Sequence, residues 1–155
     1  MEIRFKKSFV LAGVIILLFV LWFSWMSISS HKTAKMEDKM QSLLASGLQI
    51  AAMDSPRVKV NNDGGFYGPD LNNSHAIQNV YPRVYASILE GLQDSASPFC
   101  KVENLRMETD YISKLTAYST VRFVVFLGVT KTISVTASIK APRYKEITGL
   151  AEVGG

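Results

Sequence analysis

Cysteine and histidine are almost missing from this chain, with one Cys and two His in 155 residues. A single Cys excludes a disulfide framework within the chain and is too few for a Cys-rich zinc site. Two His leave little for a His-based metal centre or a catalytic triad. Charge is scarce as well: 19% of residues are charged against 48% hydrophobic, a balance that excludes a disordered tail. Neither common glycine-rich phosphate loop is present, because Gly64-Gly65 and Gly68 are not followed by a helix-opening Lys-Ser/Thr. These absences argue against an ordinary metabolic enzyme. They leave no catalytic residue, no cofactor-binding or metal-binding residue and no small-molecule substrate to name.

One long hydrophobic run is present. No charged residue occurs between Ser8 and Ser30, and Phe9 to Ile28 is apolar except for Gly13, Ser24 and Ser27. A helix of this length spans roughly 30 Å, the thickness of a bilayer's hydrocarbon core. Phe9, Ile15, Leu18 and Leu21 would face lipid. Trp22 and Trp25 would lie near the headgroups, where indoles are favoured. A cleaved signal peptide also starts with basic residues, but its apolar core is about 7–15 residues long and is followed by small residues. This run is longer, and Ser27-Ile28-Ser29 is a poor cleavage site. The sequence therefore predicts a retained anchor.

Arg4, Lys6 and Lys7 precede the run, and Lys32, Lys35 and Lys39 follow it more sparsely. The denser leading cluster predicts a cytoplasmic N-terminus and an extracytoplasmic C-terminal domain. The net charge of +4 partly reflects this topology signal. Setting aside Arg4, Lys6, Lys7 and Glu2 leaves 14 cations against 12 anions. That is no nucleic-acid footprint.

Beyond the run, residues 29–54 predict an amphipathic helix continuous with the first. Met36, Met40, Leu43, Gly47 and Ile50 recur at spacings of four and three, forming one apolar seam. The seam can pack on its own domain, or it can meet other copies or a partner helix. Gly47, beside Ala45 and Ser46, permits close helix approach. Asp54-Ser55-Pro56 ends the helix.

Val58-Lys59-Val60 alternates, and Asn61-Asn62-Asp63-Gly64-Gly65 reads as a hairpin tip. Asn61, Asp63 and Asp70 lack the spacing of a calcium loop, and turn chemistry accounts for them. Ile77, Val80, Tyr81, Val84, Ile88, Leu89 and Leu92 predict a second helix over about residues 75–93. Pro82 either starts its main part or kinks it. Three strands follow, at 101–109, 117–127 and 131–140. The middle one has two largely apolar faces and is expected to be central. The last alternates Ile133, Val135, Ala137 and Ile139 with Thr132, Ser134, Thr136, Ser138 and Lys140, which predicts one buried and one solvated face. Glu103 and Glu108 are expected on opposite faces of their strand. His31 and His75 read as surface residues, and Cys100 as a small apolar filler with no nameable base. A cryptic enzyme would need His75 and Cys100 to meet.

The layout is thus α+β: a cytoplasmic basic tail (1–8), a transmembrane helix (9–28), an amphipathic helix (29–54) and a small extracytoplasmic domain (55–155). The apolar N-terminal helix, the Leu127-Gly128 step into Ile133-Ser134-Val135-Thr136-Ala137, and the closing Gly149-Leu150-Ala151-Glu152-Val153 resemble TadE-type minor pilins and pseudopilins. Unlike pilin leaders, Lys6-Lys7-Ser8-Phe9-Val10 carries no Glu. The resemblance implies a structural or accessory subunit of a surface or secretion assembly. Its partners would be the lipid bilayer and other copies or subunits. The alternative is an anchored ligand-binding or sensor module, with Phe66, Tyr67, Tyr81 and Tyr85 as contact aromatics.

Overall fold

Between Ser8 and Asp54 the chain has no proline and only Gly13 and Gly47 as helix-weakening glycines. In the computed structural model this stretch lies in one helix, α1 (Glu2–Asp54), 53 residues long. The structure describes residues 2–59, 66–93, 100–110, 113–126 and 128–141, with side chains from residue 9 onward except at 59, 66 and 67. Ser55 closes the helix through its N–H to the Ala51 carbonyl (3.1 Å), and Pro56 cannot continue it.

After α1 come β1 (Arg57–Lys59) and β2 (Phe66–Pro69), an antiparallel pair with Lys59 opposite Phe66. The expected tip at 61–65 lies outside the described residues. Turn chemistry continues beyond β2. The Asp70 carboxylate accepts the Asn72 N–H (3.1 Å), and the Asn73 side chain accepts the His75 N–H (2.9 Å).

The second helix begins with a π-helical turn at Ala76–Val80 and proceeds as α2 (Tyr81–Gln93). Pro82 explains the wide turn. It has no N–H to donate, and its ring would crowd the carbonyl four residues back in a regular helix. The Tyr81 N–H reaches five residues back to the Ala76 carbonyl, and the regular helix starts there.

β3 (Lys101–Asp110), β4 (Lys114–Phe126) and β5 (Val129–Lys140) form an antiparallel sheet in the order β3-β4-β5. β4 is central, as expected, but only one of its faces is buried. Leu115, Ala117, Ser119, Val121, Phe123 and Val125 point inward, whereas the alternate residues are exposed or half-buried. Both helices pack on that one face, so the molecule has two layers. In β5, Val135 and Ala137 are buried and the Thr/Ser face is exposed. The expected stop at Pro142 lies outside the described residues.

The core joins Met40, Leu44, Leu48 and Ala51 of α1 to Val84, Ile88 and Leu92 of α2 and to Leu115, Val121 and Val135 of the sheet. The helices touch through glycine. A Cβ on Gly47 would come within 2.8 Å of the Val84 Cγ1, and one on Gly91 within 2.3 Å of the Leu43 Cδ2.

One expectation about β3 needs correcting. The pairing slips between Val102 and Asn104, where a bulge inserts Glu103. Glu103 then pairs with Arg122 (2.8 Å), which lies on the open face of β4 between the buried Val121 and Phe123. Glu108 sits opposite Thr116 on that same face and pairs with Arg106. The two glutamates therefore share a face, because the extra residue reverses the alternation. Next to the bulge, the Asn104 carbonyl accepts the hydroxyl of buried Ser119 (2.9 Å).

Candidate functional site

The residues expected to anchor the chain are uncovered. Phe9 is 75% exposed and Trp25 39%, and Ile15, Leu18, Leu21 and Trp22 fall between them. Among the described residues none buries any part of the apolar window, so it is not a core helix of the described structure. An apolar surface of this length is compatible with a single membrane pass. Within it the rings of Phe19 and Trp22 lie 5.9 Å apart.

The seam residues are taken up by the chain itself. Met40 is fully buried and Gly47 lies against Val84, while Met36, Leu43 and Ile50 are half-buried at the border of the core. Sequence reasoning missed Leu44 and Leu48, which sit at the centre of the buried stripe. A straight helix drifts by about 20° per heptad from a strict four-three repeat. A helix packed on both a sheet and a second helix also needs a wider stripe than the seam. The adjacent leucines, Leu43-Leu44 and Leu48, were the available signal.

Where the apolar run ends, helix and sheet are clasped. The Lys32 ammonium donates to the Val125 carbonyl (2.8 Å), and the Lys131 ammonium donates to the Thr33 hydroxyl (3.3 Å). One link runs from helix to β4 and the other from β5 to helix. Beside the Lys131–Thr33 link lies an open cleft lined by Met26, Ser29, Ser30, Thr33, Ala34 and Glu37, with Lys131 at its side. Lys131 lies 98 residues from Thr33 in sequence, so no local pattern announces this contact.

The two sheet edges differ. The Tyr81 hydroxyl donates to the Met107 carbonyl (2.9 Å) and accepts the Met107 N–H (3.3 Å), so α2 blocks the outer edge of β3. β5 has no neighbouring strand on its far side among the described residues. Of the aromatics proposed for ligand contact, Tyr81 is thus engaged internally and Tyr85 is exposed. The side chains of Phe66 and Tyr67 lie outside those described.

The titratable groups are dispersed. His31 is exposed on α1, and His75 is exposed beside the Asn79 amide (3.1 Å). Cys100 is half-buried against the core. Burial pushes its thiol up, opposed in part by Lys39, so it is a thiol at neutral pH. The Arg83–Asp54 pair (2.7 Å) ties α2 to the end of α1 but is solvent-accessible and contributes little. Among the described residues, no three His, Cys, Asp or Glu come together as a metal site. In comparisons with known proteins, the chain matches no family model, no curated protein and no solved structure.

Proposed function

We propose that this chain is a single-pass, membrane-anchored structural or accessory subunit of a surface, secretion or pilus-like assembly. It acts by protein–protein contact and carries no enzymatic activity. Its N-terminus lies in the cytoplasm and its α+β domain outside. The observation that carries this reading is the continuity of α1. One rigid helix bears an uncovered apolar half and, without a break, a half that forms the core of the domain. A domain fixed so stiffly to its anchor is held at a set height and orientation over the membrane, which suits a part that must meet neighbours. The contrast between the latched β3 edge and the open β5 edge supports β5 as the surface a neighbouring strand would join. The TadE-type resemblance is in keeping with the same role.

Crosslinking in intact cells tests the proposal, with a photoreactive residue in place of exposed Thr136 on β5. Adducts of defined size are expected. A chain that yields only the monomer contradicts the reading.

A second reading, an anchored ligand-binding or sensor module, draws on the open face of the sheet. There Thr116 meets Ser138 (3.3 Å), Thr120 meets Ser134 (3.5 Å), and Tyr118 is 42% exposed. A ligand held there would change the fluorescence of the Tyr118 region on titration. A contact subunit would give no such change.

A further inference from the structure

We infer that the β4–β5 hairpin tip rests on the lipid headgroups of the bilayer that holds α1, giving the domain a second point of membrane contact. The inference depends on the anchored reading above and adds a surface and its partner to it.

Position is the first ground. The sheet covers α1 only from about Ser29 onward, since residues 9–28 are exposed all round. The membrane-proximal end of the sheet is the β4–β5 tip, because Val125 and Lys131 are the residues bonded to Lys32 and Thr33. Thr33 lies five residues past Ile28, a rise of about 7.5 Å along the helix. Val129 lies two residues beyond Lys131 toward the tip, about 7 Å along the strand. The two distances are alike, so the tip points back toward the end of the apolar run, where a headgroup layer is about 5–7 Å deep on each side.

Chemistry is the second ground. Val129 is an aliphatic residue left 49% exposed at the turn, and Gly128 before it holds φ +84°, which allows a tight connection. Flanking it are the ammonium groups of Lys32 and Lys131. Beside Lys131 the cleft sets Met26 below the Ser29, Ser30 and Thr33 hydroxyls, with the carboxylate of Glu37 one turn farther from the bilayer than Thr33. An apolar floor under hydroxyls and a cation matches the order in which a phospholipid presents its acyl chain and then its phosphate. The clasp holds from both sides, so the tip cannot lift from the helix without breaking a link to Lys32 or Thr33. Seating α1 in lipid thus brings the tip to the surface.

The test uses the full chain in phosphatidylcholine–phosphatidylglycerol vesicles, with Cys100→Ala as background. An environment-sensitive fluorophore is attached at Val129→Cys, at Thr130→Cys as a second tip probe, or at exposed Met53→Cys. Met53 lies about 36 Å along α1 from Ser29. Nitroxide carried on lipid headgroups reports depth for these probes. Brominated acyl chains quench native Trp22 and Trp25 and so report the anchor. Trp quenching with tip quenching several-fold above that at Met53 is the expected result. Trp quenching with tip and Met53 quenched alike overturns the inference and leaves the anchor standing. Absence of Trp quenching overturns the anchored reading and this inference with it.

Discussion

Gly47 shows how one missing Cβ sets the spacing of two helices. Val84 faces it, is buried, and is β-branched, so its χ1 has little freedom to move aside in a helix. Gly47→Ala gains about 1 kcal/mol of helix propensity but overpacks the contact at about 1–3 kcal/mol. We expect a net loss of about 1 kcal/mol in denaturant unfolding of the full chain in micelles. In a Val84→Ala background the obstruction is gone, and the same change should become stabilising. A loss that persists would show that Val84 is not the cause. Cys100 provides a second test at this scale. Its thiol is held above the ordinary value, chiefly by burial. Alkylation should therefore be slow at neutral pH and rise at higher pH than for a free thiol. The matching stability is complete below the ordinary thiol pKa and is lost as pH rises through the folded value. Alkylation at neutral pH as fast as in the unfolded chain would contradict the burial. Gly47 stood out in the sequence as a point of close approach. Its partner did not, because local spacing carries no information about which distant side chain fills the gap.

The elements themselves were largely legible. α1 follows from an uninterrupted apolar run and the Pro56 stop, and β5 from its strict alternation of aliphatic and hydroxyl residues. Less legible was anything set by pairing. The Glu103 bulge depends on how β3 meets β4, and the single buried face of β4 depends on both helices choosing the same side. The Tyr81 latch belongs to this class. Tyr81→Phe removes both hydrogen bonds to Met107 while keeping the ring. The expected cost is about 1–2 kcal/mol, with faster hydrogen exchange at the Met107 amide on the β3 edge. Unchanged exchange at that amide would mean that the hydroxyl does not guard the edge.

At the scale of the molecule, α1 supplies part of the core and, in the proposed reading, the anchor. The apolar face of its second half is shared with α2 and the sheet, and no described residue covers its first half. Burying so many large aliphatic and aromatic side chains in lipid is favourable by about 1.5–3 kcal/mol each, far more than any clasp or ion pair in the domain provides. The uncovered apolar half follows from composition alone. The clasp at Lys32 and Lys131 does not, since it joins segments distant in sequence. The most direct test of the account is the intact mass of the chain recovered from carbonate-washed membranes. The account predicts a pelleted chain whose mass includes residues 9–28. A chain released into the wash, or one whose mass shows that it begins after Ile28, would contradict it.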